Sequence, residues 1–361
     1  MATGVTIPGG VSVSGGSLNT TTQTTLGNVI QTLDAGNSTF ANSTTTTSTV
    51  VSGAAGATTV SAGTNLLVNA TGSINLSNVS GTGVVIVDSA STSATTIVGG
   101  SATSLVALND ASNTATLGTG GGTVIGGAGN NLIGTTASGG GNANIITGTG
   151  QNTIVAASGN TTISGTSSGN SLIGLGSGNS SVAAGAGATV WGGSGNATIS
   201  AGANSTVAGG TGSTTITGNA GDIIFASYTS SNATSVLNAG AGGETLSGGT
   251  STGNNIFNAG SGNDLIGAGS GNNTFNAGTG NATIFGGTGS NLFNFGTTAG
   301  SVVVGDFSAK DTLNVTGYTA SQLLADSTSQ VSNGVTYTTI TLTDGTKIQL
   351  IGSALSASNI G

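Results

Sequence analysis

The sequence predicts an all-β fold, a parallel β-roll or β-solenoid built from nine-residue repeats, and three observations lead to this prediction. Five units of nine residues run back to back from residue 250 to residue 294. Glycine makes up 69 of the 361 residues, whereas the chain has one proline and no cysteine. Val, Ile, Leu and Thr recur at short, regular intervals, which favours ordered β-structure over a disordered chain. Nonapeptides with paired small residues, a turn glycine and one apolar residue are typical of parallel β-rolls.

The repeated apolar position predicts the core. The five units place Phe257, Ile266, Phe275, Ile284 and Phe293 in strict register. A single unit cannot bury its apolar residue, whereas stacked units can. Two units should form one coil of about 18 residues, and the coils should stack at the strand spacing of about 4.8 Å. We therefore expect these five residues to form a core ladder.

Composition divides the chain into four predicted zones. Residues 1–48 form an N-terminal arm and linker, 49–125 an irregular β-solenoid, 126–296 the nonapeptide β-roll, and 297–361 a C-terminal cap. The short apolar clusters of the second zone fit a solenoid or a β-sandwich. The solenoid is favoured because no boundary separates this zone from the next. Residues 25–40 fit either one short helix or two strands.

The N-terminal arm alternates apolar and polar residues around a Pro-Gly turn, with Val5, Ile7, Val11 and Val13 as its apolar residues. The end coils of a solenoid expose unpaired N–H and C=O groups and need polar or charged caps to stay separate. Asp34 is the one charged residue before residue 88, so this end of the chain is weakly protected. We predict that the arm adds a strand to the edge of a neighbouring molecule.

The C-terminal zone differs in character, because it holds both lysines and four of the ten acids. The alternating segment VTYTTITLTDGTKIQLIG predicts a β-hairpin around an Asp344-Gly345 turn. The segment TASQLLAD before it predicts a helix of one or two turns. This zone is expected to cap one end of the solenoid.

The charged residues exclude several functional classes. Lys310 and Lys347 are the only basic residues, and two lysines cannot neutralise the phosphates of a nucleic acid or bind an anionic membrane surface. No run of 18 apolar residues occurs, so membrane insertion is not expected. The first residues lack the charged and apolar regions of a cleaved signal peptide.

Enzymatic activity is not predicted. The chain has no His and no Cys, which excludes Ser-His triads, thiol nucleophiles and histidine metal sites. Hydrolysis by two carboxylates needs a close acid pair. Glu244 is the only glutamate, and Asp222 precedes it by 22 residues, which is not a whole repeat, so we interpret this pair as chance. Trp191 is expected to pack in the core rather than to bind carbohydrate.

The repeats resemble those of the repeats-in-toxin family, whose nonapeptide reads GGxGxDxUx. Residues 297–361 resemble the segment that follows such repeats in many proteins secreted by type I systems, and the matching residues are Asp306, Phe307, Asp311, Asp344 and Gly345. The resemblance covers residues 126–361 and is strongest for 250–294. It implies an extracellular or cell-surface protein, with the type I secretion machinery as a partner and secretion information near the C-terminus.

The chain departs from this family at the sixth repeat position, where the family has an Asp that binds calcium between coils. The five clear repeats have, at this position, Asn255, Asp264, Asn273, Ala282 and Asn291. Because Ca²⁺ needs six to eight oxygens, several of them anionic, a continuous calcium ladder is not expected. Asp264, otherwise an exposed turn residue, and Asp306 and Asp311 at the end of the roll are the candidate metal residues. No cofactor should be required, and calcium would bind at these few sites at most.

Stacked Asn side chains are expected to replace calcium with a ladder of amide hydrogen bonds. The roll should then fold without metal and be insensitive to chelators. With so few titratable groups, it should also be largely insensitive to pH.

These inferences predict an extracellular structural protein that assembles with copies of itself into a fibre, a surface layer or biofilm matrix material. The alternative is a binding module, either an adhesin or an ice binder, and a third reading is the non-catalytic part of a secreted enzyme. Ice binding would need a flat, repeated threonine face, which Leu265 and Leu292 interrupt. Adhesive side chains on a repeated surface would favour the binding module, whereas a small, neutral surface with unprotected ends favours the polymer.

Overall fold

In a computed structural model, the chain forms two compact units, Met1–Ser181 and Val182–Gly361. Each unit is built from parallel strands stacked in two sheets, so the fold is the predicted β-solenoid. In the described part of the chain, no helix has the length and apolar character to cross a membrane. The structure describes residues 93–101, 104–136, 139–165, 169–227, 232–296 and 300–361, and the backbone of the strands between residues 5 and 86.

The first unit contains short strands of two to six residues. They are β1 (Val5–Ile7), β2 (Val11–Val13), β3 (Ser48–Gly53), β4 (Thr58–Thr59), β5 (Asn65–Ala70), β6 (Ser73–Asn75), β7 (Gly83–Ile86), β8 (Thr96–Val98), β9 (Ser104–Ala107), β10 (Thr114–Leu117), β11 (Gly122–Ile125), β12 (Leu132–Thr135), β13 (Ala143–Ile146), β14 (Thr153–Ala156), β15 (Thr161–Ser164) and β16 (Leu172–Leu175). The next strand, β17 (Ser180–Ala183), contains the boundary between the units.

Odd- and even-numbered strands of the first unit form separate parallel sheets, here called the odd sheet and the even sheet. Strands β3 to β15 pair in the odd sheet, and β4 to β16 pair in the even sheet. This parallel order already holds for β3 to β11, so the described strands of the second predicted zone are stacked as in a solenoid rather than a sandwich. The choice between a helix and two strands for residues 25–40 lies outside the described residues.

The predicted N-terminal arm contains two strands. β1 and β2 pair with each other in antiparallel orientation, with Val5 opposite Val13 and Ile7 opposite Val11. They form a two-stranded sheet of their own. The residues between these strands, which include the single proline, lie outside the described residues.

The second unit repeats the same construction and adds a cap. Its elements are β18 (Thr189–Trp191), β19 (Ala197–Ser200), β20 (Thr206–Ala208), β21 (Thr214–Thr217), β22 (Ile223–Phe225), β23 (Val236–Asn238), β24 (Thr245–Ser247), β25 (Ile256–Asn258), β26 (Asn263–Gly267), β27 (Thr274–Ala277), β28 (Asn281–Phe285), β29 (Leu292–Phe295), β30 (Val302–Phe307), β31 (Thr312–Val315), α1 (Ala320–Ala325), β32 (Ser327–Ser332), β33 (Val335–Thr341), β34 (Lys347–Gly352) and a 3-10 helix (Ala357–Asn359).

The five predicted core residues are all buried, with at most 1% of each exposed, and they form two ladders. Phe257, Phe275 and Phe293 lie in the odd sheet, and their rings stack at centroid distances of 5.1 and 4.9 Å. Ile266 and Ile284 pair in the even sheet. The ring spacing matches the spacing of neighbouring strands, so each coil adds one inward apolar residue per sheet.

The prediction that Trp191 packs in the core is wrong. Its side chain is 40% exposed, whereas Val190 is fully buried and pairs with Val207, 17 residues further along. Val190, the next inward apolar residue after Val182, therefore follows it after eight residues instead of nine. A shift of one residue moves a side chain to the opposite face of a strand.

The C-terminal cap extends the even sheet. β30 pairs in parallel with β34, which pairs in antiparallel orientation with β33, as the predicted Asp344-Gly345 hairpin requires. β33 then pairs with β32 through a two-residue turn at Asn333 and Gly334, whose φ angles of 50° and 77° are those of a type I′ turn. The sheet order is thus β28, β30, β34, β33 and β32.

The predicted short helix is α1, which begins after Thr319. The Thr319 hydroxyl accepts the backbone N–H of Gln322, and the Gln322 side chain accepts the backbone N–H of Thr319, so the two residues form a capping box. In the odd sheet, the last strand is covered at its edge by the end of the chain, because Leu313 bridges Ile360 and its carbonyl accepts the N–H of Gly361.

Candidate functional site

The sixth repeat position forms buried columns of polar side chains along the coils. In the odd sheet of the second unit, residues on successive coils stack at this position, and each backbone N–H donates to the side-chain oxygen of the next residue at 2.9 to 3.0 Å. We call this set the amide column. It consists of Ser235, Asn255, Asn273, Asn291 and Asp311.

The Asn side chains of the amide column use both ends of the amide. While Oδ1 accepts the N–H of the preceding coil, Nδ2 donates to the carbonyl of the glycine two residues before; for Asn273 this is Gly271, at 2.7 Å. A carboxylate could not make the second bond, because it has no N–H to donate. The column ends at Asp311, whose second oxygen accepts the N–H and the hydroxyl of Ser308 at 2.7 and 2.8 Å.

The first unit has an equivalent column in its even sheet. Asn113, Asn131 and Asn152 accept the backbone N–H of the coil before at 2.9 to 3.1 Å and donate from Nδ2 to the carbonyl two residues earlier. The Ser171 hydroxyl accepts the last N–H of this series, at 3.3 Å. The predicted ladder of stacked Asn residues is thus present, but its main bonds run from backbone to side chain.

The even sheet of the second unit has carboxylates at the same position. Asp222, Glu244 and Asp264 lie on three successive coils, and we call them the acid column. The three residues are 1%, 2% and 4% exposed. The alternative interpretation of Asp264 as an exposed turn residue is therefore wrong. The interpretation of Asp222 and Glu244 as a chance pair is also wrong, because the additional residues of their coil lie in its connections and leave the strands in register.

Glu244 interrupts the hydrogen bonding of the acid column. Asp222 accepts the N–H groups of Ser205 and Asn219 at 2.7 and 2.6 Å. Asp264 accepts those of Glu244 and Gly260, both at 3.0 Å. Both carboxylate oxygens of Glu244 are buried without a hydrogen-bond partner among the described residues. The Glu244 side chain, which is longer than that of Asp, does not accept the backbone N–H of Asp222. This N–H donates to the Asn219 carbonyl instead.

This environment changes the acidity of the column. Burial, the neighbouring carboxylate of Asp264 and, more weakly, that of Asp222 together raise the pKa of Glu244 to about 7. Burial also raises the pKa of Asp222, against the N–H groups of Ser205 and Asn219, which lower it. Contrary to the inference from the small number of titratable groups, stability should therefore depend on pH.

The candidate metal residues are held by N–H donors. Asp306 accepts the N–H groups of Gly286 and Gly287 at 2.6 and 2.9 Å, and Asp264 and Asp311 are bonded as described above. Donors of this kind compete with a cation for the carboxylate, so the arrangement does not fit a calcium site. Within the described ranges, no group of three or more His, Cys, Asp or Glu residues could hold a metal ion. Calcium at these residues stays a prediction that requires a measurement.

Folding should not require calcium, because the columns satisfy their polar groups with amides and N–H donors. Circular dichroism in excess chelator should give the same β-sheet signal and melting temperature as in millimolar Ca²⁺. A β-sheet signal that develops only when calcium is added would contradict this expectation. Asp264→Asn provides the control, since it removes the carboxylate from the only clear repeat that has one at the sixth position.

The outer faces of the two sheets differ in the second unit. On the odd sheet, a row of Asn side chains bonds from Nδ2 to Oδ1 at 2.6 to 3.2 Å. This row consists of Asn238, Asn258, Asn276, Asn294 and Asn314. It was not predicted, although the recurring Phe-Asn pair of the repeats indicates it. On the even sheet, the outward residues include Trp191, Ile223, Leu265 and Phe285, each 40% to 47% exposed.

Ice binding would need the threonines that share one repeat position to lie on one face, but they are divided between the two sheets. Thr162, Thr198, Thr215 and Thr274 lie on odd-numbered strands, whereas Thr153 and Thr283 lie on even-numbered strands. In the second unit, the odd-sheet threonine row is interrupted at Val236, Ile256 and Leu292.

No protein-family model and no curated protein matches this chain. The parallel solenoid with coils of about 18 residues is compatible with a repeat protein of the kind that the nonapeptides resemble. Membership of the repeats-in-toxin family and secretion by a type I system therefore rest on the sequence resemblance alone.

Proposed function

We propose that this chain is an extracellular structural protein that assembles with copies of itself into a fibre, a surface layer or biofilm matrix material. The main support is the charge distribution on the coils. Between residues 112 and 305 the charged residues are Asp222, Glu244 and Asp264, and all three are buried. Surface charge keeps soluble proteins apart, and these coils present none to a neighbour.

Secretion by a type I route is part of the same proposal. It is supported by the match of the C-terminal zone to the segment that follows repeats in such proteins. The hairpin with an Asp344-Gly345 turn and the short helix before it both occur in that zone. Secretion of the full chain from a host with and without a type I system tests this part, and equal export by both hosts would contradict it.

The purified full chain should form polymers that grow with protein concentration, and negative-stain electron microscopy and sedimentation velocity can measure this. Thr198→Glu combined with Thr215→Glu adds charge to two exposed positions on neighbouring strands. This variant should assemble more slowly at low salt and recover at high salt, because salt screens exposed charges. The matched control replaces the same residues with Gln. A wild-type chain that stays monomeric at high concentration would contradict the proposed function.

The alternative function is a binding module, and the exposed aromatic residues of the even sheet favour an adhesin within that class. Trp191 and Phe285 are 40% and 45% exposed, and large exposed apolar side chains often mark interaction sites. An adhesin would bind its target surface as a monomer and would lose binding in Trp191→Ala. Ice binding has less support, because the threonines are divided between two sheets.

A further inference from the structure

We propose that the outer edge of β32 receives the β1–β2 hairpin of a second copy, so that copies join by addition of strands. The inference rests on the proposed self-assembly and specifies the two surfaces that meet. Among the strand pairings that the structure describes, the acceptor edge and the donor hairpin each have backbone N–H and C=O groups without a partner strand. Neither has a charged side chain within its strands.

β32 has an open edge at the end of the even sheet. Its six residues pair with β33, from Ser327 opposite Ile340 to Ser332 opposite Val335, and with no other strand in the described registers. Thr328 to Ser332 are all exposed, so neither face of the strand is covered. An exposed edge of this length is a template for a strand from another chain.

The turn geometry determines which backbone groups face the open edge. A two-residue type I′ turn makes Ser332 and Val335 a hydrogen-bonded pair, and such pairs then alternate along the hairpin. The N–H of Thr341 donates to the Asp326 carbonyl, which continues this alternation at the other end. The even-numbered residues of β32 are therefore bonded to β33, whereas Ser327, Ser329 and Val331 direct N–H and C=O groups towards the open edge.

The features that usually protect an edge strand are missing from β32. Its sequence, STSQVS, contains no Lys and no Pro, and its pairing with β33 is free of bulges. Val331 is 71% exposed at the end of the strand. By contrast, the last strand of the odd sheet is covered at Leu313 by the terminal residues Ile360 and Gly361.

The β1–β2 hairpin matches this acceptor. A two-stranded hairpin is at best marginally stable alone, so an additional strand on one edge would stabilise it. Its strands have three residues each and pair with no other strand in the described registers. Only uncharged residues follow Met1 as far as Asp34, so the exposed carboxylate of Asp326 at the start of β32 meets no like charge in the hairpin.

The acceptor edge is tested with Val331→Pro in the full chain. The N–H of Val331 faces the open edge, so proline removes a donor from that edge while the bonds between β32 and β33 are retained. We expect the concentration needed for polymerisation to rise about tenfold or more, with an unchanged circular dichroism spectrum. Val331→Lys, which adds a charge at the edge, should have the same effect. Leu324→Lys on α1, with 37% of its side chain exposed, is the matched control and should polymerise like the wild type.

Mixing two blocked full-length variants tests whether hairpin and edge are partners. Thr6→Pro with Ser12→Pro blocks the central residues of the hairpin strands but leaves β32 free, whereas Val331→Pro leaves the hairpin free. At a concentration just sufficient for the wild type to polymerise, each variant alone should stay monomeric, and an equimolar mixture should give dimers but no polymers. A Val331→Pro chain that polymerises like the wild type, or a mixture that stays monomeric, would overturn this proposal. A monomeric wild type would overturn the proposed function instead.

Discussion

Replacing Phe275 with alanine should lower the free energy of unfolding by about 3 to 5 kcal/mol. The ring is 1% exposed and stacks between Phe257 and Phe293 at 5.1 and 4.9 Å. Hydrogen bonds between the strands hold the coils at a fixed spacing, so the neighbouring rings cannot move together to fill the space. A cavity that cannot collapse gives the upper part of the range for large-to-small substitutions.

Denaturant unfolding followed by circular dichroism measures this loss, and the chain offers a matched control. Phe285→Ala removes the same side chain from the outer face of the even sheet, where Phe285 is 45% exposed. It should cost about 1 kcal/mol or less, because little apolar surface is returned to water. At pH 5, Asp264→Asn should cost much less than Phe275→Ala, since an Asn oxygen can still accept the N–H of Glu244 and only the bond from Gly260 is lost. Equal losses for Phe275→Ala and Phe285→Ala would contradict the assignment of inner and outer faces.

The core and the cap could be predicted because local signals determine them. Phe257, Phe275 and Phe293 recur in a strict period, and a periodic apolar residue on stacked coils has nowhere else to be buried. The Asp344-Gly345 turn and the helix after Thr319 likewise depend on residues adjacent in sequence. The two sheets of the solenoid follow from two repeats per coil.

The sequence-based predictions are wrong where the number of residues per coil departs from 18, because counting along the chain then no longer gives the position of a residue in its coil. Counting in nines from Val182 places Trp191 inside, but the step to the next inward residue is eight residues, so Val190 is buried instead. Counting also separates Asp222 from Glu244, whereas the strands stay in register and the connections absorb the extra residues. Asp264 is buried because it stacks with Asp222 and Glu244 on neighbouring coils. The position of a single acid in one repeat does not indicate this stacking. The outer Asn row is formed by the residue after each inward Phe or Leu, which lies outside the sixth position that the repeat pattern marks.

The free energy of unfolding should fall by on the order of 1 to 3 kcal/mol as the pH rises from about 4.5 to above 7. Burial, reinforced by the neighbouring carboxylates, raises the pKa of Glu244 from 4.5 to about 7 in the folded chain. Between these values the folded state holds a proton that the unfolded state has lost, so stability decreases with increasing pH. The full contribution is present below the unfolded pKa and is lost as the pH passes through the folded one. The rise of the pKa from 4.5 to about 7 sets an upper limit of about 3 kcal/mol, and solvent screening of the Glu244 charge lowers it.

Thermal and denaturant unfolding from pH 4.5 to pH 8 tests this, with Glu244→Gln as the decisive variant. A neutral amide of similar size cannot ionise, so its stability should stay nearly constant over this range and exceed that of the wild type at pH 8. Asp264→Asn should move the fall of stability to lower pH, because it removes the largest neighbouring charge that raises the pKa of Glu244. If the wild type and Glu244→Gln lose stability in parallel, the buried carboxylate of Glu244 is not the group that titrates.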